Sequence, residues 1–145
     1  IAVYVGVDYQ DHKITPDDPA NKLRGSDVGF KVGLDIESND RRASGIYYAL
    51  NGSYSTAFDS YYALARVGRT FGRFTVGPEG WVLGDESGDG QRLGMFVSVD
   101  VPLGRDLAGT LTVSGGHQFG DDADIRKGFD NGAYGTVNFR LPLGR

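Results

Sequence analysis

The sequence predicts an all-β protein: a single domain, residues 1–145, folded as an eight-stranded antiparallel up-and-down β-barrel of the transmembrane, outer-membrane type. Three observations lead there. Apolar residues alternate with polar or small ones at period 2 through eight segments, a pattern that no helix makes. The chain holds 23 glycines, eight tyrosines and eight phenylalanines, a composition of strands and tight turns. Mean hydropathy is −0.31 and no long apolar run occurs, which excludes a helical membrane protein. A β-barrel survives that test, because only alternate residues of each strand meet lipid.

The strands follow in order. Ile1 to Gln10 sets Ile1, Val3, Val5, Val7 and Tyr9 against Ala2, Tyr4, Gly6, Asp8 and Gln10. After the polar stretch Asp11 to Ser26, with Pro16 and Pro19, the second strand is the cleanest. Val28, Phe30, Val32, Leu34 and Ile36 alternate there with Gly29, Lys31, Gly33, Asp35 and Glu37. The third, Ala43 to Ser55, opposes Ile46, Tyr48, Leu50 and Tyr54 to Tyr47, Ala49, Asn51 and Ser53. The sixth, Gln91 to Leu103, sets Leu93, Met95, Val97, Val99 and Val101 against Arg92, Gly94, Phe96, Ser98 and Asp100. In the seventh, Leu107, Leu111, Val113 and Phe119 oppose Thr110, Thr112, Ser114, Gly116 and Gln118. The eighth, beyond the acidic stretch Asp121 to Asn131, sets Ala133, Val137, Phe139, Leu141 and Leu143 against Tyr134, Thr136, Asn138 and Arg140.

The fourth and fifth strands form the central hairpin, Tyr61 to Trp81, turning at Gly72–Arg73. A two-residue turn places Phe71 opposite Phe74, Val67 opposite Pro78, Arg66 opposite Glu79 and Leu64 opposite Trp81. An opposed charge pair contributes roughly 0.2–1 kcal/mol on an ordinary sheet surface. Sealed inside a barrel, loss of one partner costs several times more. Pro78 falls where a ladder N–H is expected, which predicts a bulge or a slipped register.

Burial of the apolar faces is equally favourable in a soluble and a membrane barrel, so that effect does not set which face points inward. Two other features do. The polar face is rich in Gly, Ala and Ser, and an eight-stranded barrel has room for little more than its own side chains. Connections after strands 1, 5 and 7 are long (about 16, 6 and 11 residues) and those after 2, 4 and 6 short (about 4, 2 and 3), the outer-membrane pattern. The Thr56–Ala57 connection departs from it. The interior charge network is then Asp8, Lys31, Asp35, Glu37, Arg66, Glu79, Arg92, Asp100 and Arg140. Lys or Arg on the lipid face near midplane costs roughly 2–4 kcal/mol each, so the reverse orientation in a membrane is untenable. Filling and rigidifying a narrow lumen is the simpler role for these charges, and conduction the sharper one. Tyr9, Tyr48, Tyr54 and Tyr61 suit the aromatic girdles at the interfaces.

Chemistry-bearing motifs are sparse. With no cysteine there is no disulfide framework or thiolate metal site, and a net charge of −4 argues against a nucleic-acid partner. Asp85 to Gly90 opens like a calcium loop, but Phe96 stands where the twelfth-position Glu belongs, so a polar hairpin loop is expected. Asp121, Asp122 and Asp124 read as a solvated loop rather than a site for cations between lipopolysaccharide phosphates. Lipid-A deacylase barrels carry a Ser two residues after an outward His; after His117 that position is Phe119, which leaves an interfacial histidine. No catalytic residue, cofactor or metal is predicted, and the chain reads as a non-enzyme.

The hairpin core GRFTVGPEG (Gly72 to Gly80), the acidic segment after it, the strand QRLGMFVSVDVPLG and the Gly-rich seventh strand resemble the cellulose-biosynthesis BcsS family. The resemblance implies a secreted β-barrel encoded with cellulose synthase, serving as an accessory in exopolysaccharide export or surface anchoring in a Gram-negative outer membrane. Its expected partners are outer-membrane lipid, lipopolysaccharide and other membrane or surface proteins. A start at Ile1 implies a removed leader. At the other end, Leu141 to Arg145 lacks the terminal aromatic that barrel assembly reads, so Phe139 serves or the sequence is trimmed. Two alternatives stand beside this: a narrow porin-like channel, and a soluble lipocalin-like carrier whose cavity is lined by Val3, Phe30, Leu34, Val97 and Val137.

Overall fold

The computed structural model describes residues 1–13, 24–38, 45–86, 88–104, 108–120 and 131–141. Eight strands make up almost all of them: β1 (Ala2–His12), β2 (Gly25–Glu37), β3 (Ile46–Ser55), β4 (Tyr61–Phe71), β5 (Phe74–Asp85), β6 (Gly88–Pro102), β7 (Ala108–Gly120) and β8 (Gly132–Arg140). They form one sheet in sequence order, each antiparallel to the next, as the period-2 pattern predicts. Strands of 9 to 15 residues match or exceed the roughly 9–11 that cross a bilayer on a tilt.

The sheet curls so that its small and polar face is concave. The Tyr134 hydroxyl on β8 reaches Glu79 on β5 across two intervening strands at 2.9 Å. Arg140, at the end of β8, pairs with Glu37 at the end of β2, just beyond the start of β1. Among the described residues, however, no backbone ladder joins β1 to β8. Over the described residues the up-and-down barrel is therefore curled into a half-barrel whose β1 and β8 edges are not paired with each other, and the Arg140–Glu37 bridge spans from β8 to β2 at one rim.

The convex face is the apolar one. Val3, Val7, Phe30 and Val137 are 69%, 74%, 75% and 74% exposed, whereas Ser98, Thr112, Ser114 and Glu79 on the concave face are buried. Leu64 is the one Val, Leu or Ile with a buried side chain among the described residues. A water-soluble domain buries such residues preferentially, so this distribution is inverted. It also corrects the lipocalin-like alternative, whose five lining residues all lie on the outside.

The central hairpin keeps its predicted register, with Phe71 opposite Phe74, Arg66 opposite Glu79 and Leu64 opposite Trp81. Gly72 takes the turn at φ +61°, a conformation that costs glycine little. Pro78 produces neither bulge nor slip. The same alignment holds on both sides of it, and only the Val67 and Gly68 ladder positions are missing. At that gap the strands approach so closely that a Cβ on Gly77 would lie 2.0 Å from the Val67 carbonyl oxygen.

The loop-length pattern is less regular than the sequence suggests. The β5–β6 connection is only residues 86–87, because Asp85 and Gly88 already pair, while that between β2 and β3 spans residues 38–45. Polar and glycine residues at 86–90 continue a hairpin as readily as they form a loop, so composition there misplaces the boundary. The short Thr56–Ser60 connection contains a 3-10 turn, Ala57–Asp59, with Phe58 buried at φ +53°. It is pinned by the Thr56 N–H to the Phe30 carbonyl (3.0 Å), the Glu86 N–H to the Phe58 carbonyl (3.0 Å) and the Phe58 N–H to the Asp27 carboxylate (3.0 Å).

Candidate functional site

Alternation carries every second residue of each strand to the concave face, and two features decide what gathers there. Ser, Thr and Gly leave space, and a few long charged or aromatic residues fill it at one level. The fullest cluster centres on Glu79, which is 3% exposed. Its carboxylate accepts from Arg66 Nε (2.8 Å), Trp81 Nε1 (3.1 Å) and the Tyr134 hydroxyl (2.9 Å), and Arg66 adds a second guanidinium contact at 2.8 Å. A charge this enclosed persists only when paired and hydrogen-bonded, and here both oxygens are.

Aromatic rings extend the cluster. The Arg66 guanidinium lies 5.2 Å from the Phe96 ring centre; Phe96 is fully buried and meets Tyr47 edge-on at 5.8 Å. Arg92 donates to Gln118 Oε1 at 2.7 Å and stands 5.4 Å from the Tyr134 ring and 6.0 Å from that of Trp81. Such cation–π contacts strengthen as water is excluded. Gly94 makes the arrangement possible, since a Cβ there would come within 2.3 Å of the Tyr134 hydroxyl. Arg66, Glu79 and Arg92 thus form one block across the lumen.

The other charges stand in separate groups. Asp8 meets Lys31 at 3.9 Å and accepts from Gln10, which also donates to Ser60 at 2.8 Å. Asp35 accepts from the Asn51 amide at 3.0 Å, Asp100 accepts from the Thr110 hydroxyl at 3.2 Å, and Arg140 pairs with Glu37. All nine predicted charges lie on strands at lumen-facing positions, as three ion pairs and separate polar contacts rather than one continuous chain. Sequence reasoning left Trp81, Tyr134 and Phe96 without a role. The signal for them was available: each is an aromatic residue at an inward position of a strand whose inward face is otherwise mostly small or polar.

Below this block, the lumen holds an open cavity of about 910 Å³. It runs from Trp81 and Tyr62 beside the cluster to Glu37, Asp100, Thr110 and Arg140 at the rim where the chain begins and β8 ends. The narrow, filled lumen expected of eight strands is therefore filled at one level and hollow at another. Ser98–Thr112 and Ser114–Thr136 hydroxyl pairs, at 2.8 and 2.7 Å, leave more room than larger residues would.

Outside the lumen, Tyr9, Tyr54, Tyr61 and Phe119 ring one end of the sheet, and Tyr48, Phe71, Phe74 and Phe139 the other, all exposed. Tyr54 and Tyr61 direct their hydroxyls to Asp59 (2.7 Å) and Asp89 (2.6 Å), as residues with one apolar and one wet end do. His117 is exposed on the convex face, with its ring 4.7 Å from that of Phe119. The calcium-like stretch is a hairpin turn, and no group of three metal-ligating side chains occurs among the described residues. Asp121, Asp122 and Asp124 lie outside the described residues.

Comparison with known proteins finds one family: a model described as cellulose biosynthesis protein BcsS matches residues 1–143. No curated protein and no solved structure matches.

Proposed function

The chain belongs to the cellulose biosynthesis protein BcsS family, and on that premise we propose that it is a bacterial outer-membrane β-barrel with a non-catalytic accessory role in cellulose production at the cell surface. One observation carries the membrane reading: between two aromatic rims the convex face is predominantly apolar, with exposed Arg69 near one rim and His117 near the other, around a polar and charged interior. In water, an apolar surface of that extent drives aggregation or is covered by a partner. In a bilayer it is the solvated face, and the inward charges are shielded from lipid.

The free edges of β1 and β8 support the accessory part of the reading. Unpaired strand edges are costly in the hydrocarbon region, where each unsatisfied backbone group costs several kcal/mol. Contact with another membrane protein of the cellulose machinery would satisfy them. The channel alternative has less support, because the Glu79 cluster fills the lumen at one level.

The test is fractionation of the native organism together with a clean gene deletion. The protein is expected in the outer-membrane fraction, with an unboiled gel band that shifts on boiling, and the deletion is expected to alter the amount or retention of surface cellulose. Recovery as a detergent-free soluble monomer would overturn the membrane reading, and unchanged cellulose would overturn the accessory one.

A further inference from the structure

The cavity below the Glu79 cluster has a lining that a space-filling role does not require. Trp81, Tyr62 and Tyr47 contribute aromatic surface beside the Asn51 amide and the Asp35 and Asp100 carboxylates. A carboxylate accepts up to about four hydrogen bonds and an amide both donates and accepts, so this set matches ligands dense in hydroxyl groups. The aromatic faces suit the flat, apolar C–H face of a sugar ring. At about 910 Å³ the cavity falls within the roughly 300–1,000 Å³ of small-molecule sites, and it is partly open to the outside.

Charge narrows the ligand class. Three lining carboxylates, Asp35, Glu37 and Asp100, stand against two guanidiniums. Arg66 is engaged by Glu79, and Arg140 by Glu37. Phosphate or a uronate would meet carboxylates with both of these cations already paired, whereas an uncharged polyol meets acceptors for its hydroxyls. The Asn51–Asp35 hydrogen bond at 3.0 Å presents an amide and a carboxylate side by side, fixed in relative orientation. Pre-set polar pairs of this kind cost a ligand less ordering than mobile ones.

We infer that this cavity binds a short segment of an uncharged polysaccharide, specifically a β-linked glucan. The polyol class follows from the lining; the β-glucan follows from the cellulose-biosynthesis reading above and rests on it. The site retains or guides the chain.

Trp81 is the sole tryptophan of the chain, so its fluorescence reports directly on the cavity. Detergent-solubilised protein is titrated with cellohexaose and, as the α-linked control, maltohexaose, with saturation-transfer NMR read in parallel. Cellohexaose is expected to give a saturable change in both, with maltohexaose at least tenfold weaker. Asn51 and Asn138 both line the cavity, and Asn51→Ala and Asn138→Ala are each expected to weaken cellohexaose about tenfold, the loss typical of one polar contact. Asn138 is solvent-exposed, so its substitution leaves the fold intact, and the boiling-dependent band shift checks both variants. Equal binding of the two sugars would overturn the β-glucan assignment. No signal in either method, or full binding in both variants, would overturn the site. Binding is measured on isolated protein and cellular location by fractionation, so failure of one reading is separable from failure of the other.

Discussion

Replacing Glu79 with alanine probes the centre of the lumen. The side chain is 3% exposed and accepts from Arg66, Trp81 and Tyr134 at 2.8–3.1 Å. Its removal strands the Arg66 guanidinium, whose side chain is 14% exposed, between Phe96 and an emptied pocket. An uncompensated buried charge costs about 3–5 kcal/mol, against about 0–1 for an exposed pair. Glu79→Gln keeps the volume and part of the hydrogen bonding, and is expected to lose about 1.5–3 kcal/mol, the contribution of bonds to a charged group. The double variant Arg66→Met, Glu79→Met removes both charges and is expected to recover most of the loss, because well-packed apolar pairs substitute for buried ion pairs. With the single variants Arg66→Met and Glu79→Met added, urea unfolding in detergent micelles, followed by Trp81 fluorescence and the gel band shift, measures all four corners of the cycle. If Glu79→Ala costs under about 1 kcal/mol and the two sites are additive, the pair behaves as a solvated one and the buried-node description fails.

Other substitutions have expected outcomes of their own. Phe96→Ala empties a fully buried position against Tyr47 and Arg66 and is expected to cost about 3–5 kcal/mol in the same assay. Gly77→Ala drives a Cβ to 2.0 Å from the Val67 carbonyl oxygen and is expected to destabilise by at least about 1–3 kcal/mol, whereas Gly6→Ala, with nothing within 4 Å, should be almost silent. Val97→Arg on the convex face is expected to lower stability in bilayers by roughly 2–4 kcal/mol and to reduce the folded fraction on a heat-shift gel. Wild-type-like assembly of that variant would argue against lipid contact. The Lys31–Asp8 contact at 3.9 Å is long and half-exposed, so Lys31→Met should change stability by less than about 1 kcal/mol.

Much of the fold is legible in the sequence because alternation is a local signal. Val28 to Ile36 declares both strand and face without any partner, and the Gly72 turn fixes the Arg66–Glu79 opposition from chain geometry alone. What fails to read is what depends on neighbours. Pro78 predicts a bulge on hydrogen-bonding grounds, yet Gly68 and Gly77 let the chains close up and hold register by steric accommodation. Loop lengths at residues 38–45 and 86–90 mislead because glycine and acidic residues suit turn and hairpin end alike. The Tyr134–Glu79 contact depends on curvature over four strands, which no pairwise pattern encodes. The open β1–β8 edges are likewise invisible, since each strand is individually as regular as the rest. The cavity follows from a sum of small side chains at one level, legible in the Ser and Thr content of β6 and β7 only once that level is known.

The most direct measurement asks which face meets lipid. The chain contains no cysteine, so single cysteines at Val97 and at its neighbour Ser98 carry fluorescent labels without background. In vesicles containing brominated lipid, the label at Val97, 47% exposed on the convex face, should be strongly quenched. The label at Ser98, 6% exposed and hydrogen-bonded to Thr112, should be shielded. Quenching at Ser98 with none at Val97, or quenching at neither while water-soluble quenchers reach Val97 freely, would contradict the membrane-barrel assignment.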